Sequence, residues 1–178
     1  MKEIKISKIN ESIENRALDY IYEQDSRFYE QLEITAKENN VPIMMKEGIE
    51  FAHAHDVKVY VTANILAHND DLDGAREYFQ ELKEIGPDAL IISDPGMFMI
   101  AKEVWPDVEI HISTQASIVS AAAATAWHKM GAKRVVLARE LSLAEINEIR
   151  RNTPPTLEIE CFIHGSMCIS YSGRCLLS

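Results

Sequence analysis

The sequence of 178 residues predicts an α/β fold: repeated strand–helix units forming part of a TIM-barrel-like sheet with parallel strands. Three observations carry this. Apolar, β-branched runs begin near residues 57, 88, 109, 133 and 157. Helical periodicity and capping signals fill the intervals between them, which is the pattern of right-handed crossovers in a parallel sheet. No Gly-x-Gly-x-x-Gly turn is present, which disfavours a nucleotide-binding open sheet and leaves the barrel.

Each element has its own signal. Val57-Lys-Val-Tyr-Val-Thr62 reads as a buried strand. Leu72, Ala75, Phe79, Leu82 and Ile85 recur at helical spacing, and Gly86-Pro87 ends that helix. Ala89 to Ile92 is the next strand. Asp94-Pro95 opens the following helix, aspartate as N-cap and proline in the first turn. Glu109 to Ile112 is a strand, and Ser117 to Met130 a helix closed by Gly131. Arg134 to Leu137 is a strand. Ser142-Leu-Ala-Glu145 is a capping box for a helix carrying Leu143, Ile146 and Ile149. Leu157 to Ile163 completes five strands, and Glu3 to Ser7 would make a sixth, against the eight of a full barrel. Residues 8–55 suggest helices around Ile13 to Tyr22, Phe28 to Lys37 and Ile43 to His55. The expected organisation is a divergent helical segment over 1–46 and a partial (β/α) barrel over 47–178.

Composition narrows the function classes. At 47% hydrophobic the chain can bury a core, and no apolar run reaches membrane-spanning length. The start Met1-Lys2-Glu3-Ile4 lacks a signal-peptide core, so the expectation is a cytoplasmic protein with no membrane partner. The net charge of −10 is uneven: residues 1–110 hold 11 Lys+Arg against 23 Asp+Glu, and residues 111–178 hold 7 against 5. The acidic part would repel RNA, whereas the rest, with Lys129, Lys133, Arg134, Arg150 and Arg151, would tolerate it.

Functional side chains of a parallel barrel gather at the C-terminal ends of its strands. Those ends supply Asn64; Asp94; Ser113, Thr114 and Gln115; Arg139 and Glu140; and His164, Ser166 and Cys168. Asp94 also has a purely structural reading as a cap. Arg139 could grip a carboxylate through its fork, and His164 or Glu140 could move a proton. His111, within a strand, reads as a core histidine.

All three cysteines lie in the last eighteen residues. Six residues separate Cys168 from Cys175, a poor fit to zinc pairs. A thiol nucleophile would need His164 beside Cys168, against which Gly165 argues for a turn. As iron–sulfur ligands, Cys168 and Cys175 would be two of four, with Gly173 allowing close backbone approach. Cys161, inside the last strand, reads as a small hydrophobe. Ordinary thiols are the remaining reading.

The run Glu160-Cys-Phe-Ile-His164-Gly165-Ser166-Met-Cys168-Ile-Ser-Tyr-Ser172-Gly173-Arg174-Cys175-Leu-Leu-Ser178 closely resembles the signature of the collagenase-like peptidases, peptidase family U-32. Val57 to Ile65, Ala89 to Gly96, His111 to Ala116 and Val135 to Ser142 agree with the family pattern in order, so the resemblance covers about Glu47 to Ser178. It implies a TIM-barrel-like catalytic domain. The family name implies proteolysis of collagen or gelatin. Other members hydroxylate RNA bases, with prephenate a proposed oxygen source, or support oxygen-independent ubiquinone hydroxylation with a 4Fe-4S cluster. Two cluster ligands correspond to Cys168 and Cys175, and the others would lie beyond Ser178. Residues 1–46 lack the family's first strand ending in Ala-Pro-Ala-Gly.

Three functions follow as expectations. The first is iron–sulfur-linked hydroxylation of RNA, with His164, Glu140, Arg139 and Ser166 as catalytic residues and Asn64, Asp94, Ser113, Thr114 and Gln115 binding substrate. The second is true proteolysis of collagen- or gelatin-like peptides, which lacks a His-Glu-x-x-His helix and a Gly-x-Ser-x-Gly elbow. The third is an inactive remnant or assembly subunit, whose open edges pair in a homodimer or with a partner chain that completes the barrel.

Overall fold

The computed structural model describes residues 2–7, 41–65, 67–164 and 168–175, with side chains from Met45 onward. Expected helices around Ile13 to Tyr22 and Phe28 to Lys37, and the candidate Ser166, lie outside the described residues. Six strands form one sheet: β1 (Lys2–Ser7), β2 (Val57–Thr62), β3 (Ala89–Ile92), β4 (Ile110–Ile112), β5 (Arg134–Val136) and β6 (Glu158–Glu160). Every neighbouring pair is parallel, and spatial order equals chain order. The crossovers carry α1 (Val41–Ala54), α2 (Ala75–Ile85), α3 (Pro95–Val104), α4 (Ala121–Met130) and α5 (Leu143–Arg151). This is the strand order of a partial TIM-barrel-like sheet. The residue 46–47 division expected from sequence falls within α1, and β1 joins the same sheet by pairing along β2 from Lys2↔Val57 to Ser7↔Thr62.

Strand alternation sorts the side chains. Val59, Val61, Leu90, Ile92, Ile110, Ile112 and Val135 turn to one face and meet Ile49, Phe79, Leu82, Phe98, Ala124 and Ile149 from the helices, all buried. The other face carries Tyr60, Ala89 and Ile91 as a small apolar group, with His111, Arg134 and Glu158 in register beside them.

The caps form as expected. Gly86 closes α2 at φ 82, donating to Leu82 O. Asp94 caps α3, accepting from Met97 N at 2.9 Å. Ser142 and Glu145 form the capping box of α5.

Two elements are four residues shorter than the sequence suggests, and β4 and β5 are each one residue shorter. The Ser117 to Met130 helix begins only at Ala121, because Ser117 takes a left-handed conformation (φ 51) and its Oγ donates to Ser172 O. The last strand stops at Glu160 rather than Ile163. Its pairing partner β5 ends at Val136, opposite Glu160, and Ile163 beyond the paired stretch is 90% exposed. Cys161 therefore lies past the strand end and is half-exposed rather than a buried hydrophobe.

Candidate functional site

The mouth is built where parallel strands stop and their chains turn. After β2, the Asn64 side chain donates to Ser113 Oγ at 3.1 Å, tying the β2 end to the β4 end across β3. Ser93 Oγ, after β3, donates to Asn64 O at 3.3 Å. After β4, Ser113 Oγ also accepts from Gln115 N at 3.2 Å, starting a 3₁₀ turn over Thr114–Ala116. Thr114 Oγ1 reaches Leu137 O at 3.2 Å, which links the β4 and β5 ends. These polar groups satisfy one another at the rim of a buried sheet, where unpaired ones would be costly.

The segment 168–175 packs onto this rim, and Ser172 is its hub. Ser172 is 3% exposed. Its Oγ lies 3.2 Å from both Arg139 N and Arg139 Nε, and 3.3 Å from Thr114 Oγ1 and Glu140 Oε1. A hydroxyl donates once, so Ser172 gives its proton to the carboxylate and accepts from Arg139. Ser172 N donates to the same Glu140 Oε1 at 2.9 Å. Arg139 Nη2 donates to Ser170 O at 2.6 Å, and Nη1 to Cys168 O. Gly173 sits at φ 68 against the preceding turn, where a Cβ would come within 2.1 Å of Gln115 O. Only glycine fits there.

Electrostatics follow from these contacts. Desolvation opposes ionisation of Glu140, but hydrogen bonds from Ser172 N and Oγ outweigh it, with the Arg139 charge adding to them, so its carboxyl is held below the usual range. On the opposite face, burial pushes His111 below its ordinary value, although Glu109 Oε1 accepts from its Nε2 at 2.8 Å. His111 stacks edge-on against Tyr60 with centroids 4.7 Å apart, and its Nδ1 is buried without a hydrogen-bond partner. His111 is thus a buried histidine, as expected, but one satisfied at Nε2 alone rather than at both ring nitrogens.

The expected site residues thus divide. Asn64, Ser113, Thr114, Gln115, Arg139, Glu140 and Cys168 come together at one rim. Asp94 has Oδ1 committed to its helix cap. His164 is exposed. The guanidinium of Arg139, expected to grip a carboxylate, is directed at backbone carbonyls of the loop. Sequence reasoning missed Ser117 and the central place of Ser172. The one available signal was the Ser-Gly pair at 172–173, a small polar residue beside a residue free to turn left-handed.

The described cysteines are all thiols, with Cys168 exposed and Cys161 and Cys175 half-exposed. No group of three or more His, Cys, Asp or Glu converges among the described residues. A four-iron cluster takes four thiolates, so the donors described here do not by themselves complete such a site. A cavity of about 440 Å³ opens beside the mouth, between the end of β2 and the start of α2, lined by Thr62, Ala63, Tyr78 and Met97. Burial there pushes the Tyr78 hydroxyl up to about 12. None of Asn64, Ser113, Gln115 or Arg139 lines it. No helix among the described residues is long and apolar enough to cross a membrane.

The sequence model of peptidase family U32 matches residues 8–178. A tRNA hydroxylation protein P of Escherichia coli K12 is 52% identical over 134 residues, which is 74% of this chain and 29% of that protein. A tRNA hydroxylation protein P1 of Bacillus subtilis is 46% identical over 132 residues, 74% of this chain and 31% of its own length. The E. coli 23S rRNA 5-hydroxycytidine C2501 synthase is 39% identical over 132 residues, 74% of this chain and 19% of that protein. The chain spans about three tenths of the length of the tRNA hydroxylation proteins it matches. A solved U32 peptidase superposes with a TM-score of 0.57 at 16% identity, over 67% of this chain and 51% of that one. At that identity the likeness shows the fold.

Proposed function

The chain belongs to peptidase family U32, and on that premise we propose that it forms part of the barrel of an RNA-hydroxylating enzyme. The observation that carries this reading is the 52% identity to a tRNA hydroxylation protein over three quarters of the chain. The rim supports it. Asn64, Ser113 and Gln115 lie at one rim, and their residue types would supply donors and acceptors of the kind that read the edge of an unstacked base. Tyr171, 72% exposed, and Arg174 stand on the loop fastened to that rim, and an exposed aromatic ring and a cation on one loop would suit a base and its phosphate. Exposed His164 would be the group available to move a proton.

Cys168 and Cys175 would contribute two thiolates to a cluster whose other two ligands would come from outside the described residues. A bound cluster would supply electron transfer, and no step is assigned through it. The cytoplasm, where RNA is modified, is the proposed location. The free edges of β1 and β6 within the described sheet would pair with a second copy or with a chain that completes the barrel.

The test is a chimera in which this segment replaces the corresponding stretch of the E. coli tRNA hydroxylation protein P, expressed in cells lacking that protein. Mass spectrometry of tRNA nucleosides should recover a nucleoside heavier by one oxygen atom. A folded chimera that restores none, yet cleaves gelatin, would turn the assignment to proteolysis.

A further inference from the structure

Arg139 and Glu140 are adjacent in the connection between β5 and α5, and both spend their polar atoms on one loop. The contacts are complementary. Arg139 donates to the carbonyls of Cys168 and Ser170, while Glu140 accepts from the amide of Ser172. A single guanidinium spans two carbonyls two residues apart and still reaches Ser172 Oγ through Nε. That needs the planar fork of arginine, which the point charge of lysine does not reproduce. Gly173 then lets the loop backbone press against Gln115 with no room for a side chain.

We propose that Arg139 and Glu140 are positioning residues that clamp the cysteine-bearing loop across the mouth through Ser172, fixing where Cys168 and Cys175 stand. The clamp does not depend on the identity of the substrate, nor on whether the thiols hold a metal. It assigns this charged pair a task different from gripping or protonating a ligand. The loop's own side chains contribute little to holding it down: Ile169 and Tyr171 project outward, and the fastening is by backbone groups and one hydroxyl.

The experiment uses the 178-residue chain and follows alkylation of each cysteine by iodoacetamide with peptide mass spectrometry, alongside the thermal midpoint. Arg139→Ala and Glu140→Ala should each speed labelling of half-buried Cys175 by about tenfold, the order expected when lost hydrogen bonds shift a local opening equilibrium. Their midpoints should stay near that of the parent chain. Glu140→Gln, which keeps an acceptor for Ser172 N but loses the charge, should label at a rate between those of the parent and Glu140→Ala. Arg139→Lys, which keeps the charge but loses the fork, should behave like Arg139→Ala. Should Arg139→Ala not fold, Gly173→Ala reads the same opening from the other side of the contact. Parent-like labelling in both alanine variants overturns the proposal. So does a labelling rate that merely tracks a falling midpoint across all variants, since the pair would then support the whole fold rather than the loop.

Discussion

The two faces of the sheet are held by different forces. Toward the helices, β2 to β5 present Val59, Val61, Leu90, Ile92, Ile110, Ile112 and Val135, all packed against apolar helix residues. On the other face the same strands and β6 carry Tyr60, His111, Arg134, Glu158 and Glu160, where most TIM barrels stack branched apolar side chains. Arg134 lies over the Tyr60 ring at 5.6 Å and donates to Glu158 at 2.9 Å and Glu160 at 3.3 Å. Burial on the first face is non-directional and proportional to area. Contacts on the second face, and at the rim above it, are directional, and several depend on protonation. The helix side should therefore govern stability, and the polar side should govern geometry and pH response.

The strongest way to break that comparison is to empty the helix side. Phe79, fully buried between α2 and the sheet, should cost about 3–5 kcal/mol on Phe79→Ala, read by urea unfolding. An equal cost for a polar-face substitution would overturn the contrast. Arg134→Met removes the partner of Glu158 and Glu160 but keeps the aliphatic stem. Because Glu158 is 42% exposed and solvent screens it, the expected loss is only about 1 kcal/mol in the same titration.

His111 sharpens the pH side. Its folded-state value is depressed, so the unfolded chain takes up the proton first as pH falls. The stability it contributes is complete above the unfolded value of about 6.5 and declines as pH drops below it. Unfolding midpoints measured across that window should fall in the parent chain and flatten in His111→Gln. Glu140 runs in the acid direction too: its depressed carboxyl keeps the loop docked until pH falls through its folded value, so Cys175 alkylation, corrected for thiolate fraction, should rise in acid. The smallest effect belongs to the exposed Arg76–Glu103 pair at 2.7 Å, where Arg76→Ala should leave the midpoint unchanged within error.

Much of the fold was legible because it rests on local chemistry. The period of two in Val57 to Thr62 marks which side chains meet the helices, and the Gly86, Asp94 and Ser142 caps need only neighbours within four residues. The rim was legible in part, since a polar residue following a buried strand must lie at a sheet end. Less visible was the truncation of α4, because it arises from Ser117 meeting Ser172, 55 positions away. The early end of β6 has the same origin, in the length of its neighbour.

By itself, then, the order of residues determined the parallel α/β architecture, the helix boundaries set by caps, and the family. Those follow from hydrophobic period and backbone preference, which act over a few residues. Only the tertiary structure decided where Arg139 and Glu140 spend their hydrogen bonds, and that Ser172 joins them to the cysteine loop. Such bonds are short-ranged in space but not along the chain, so no local pattern announces them.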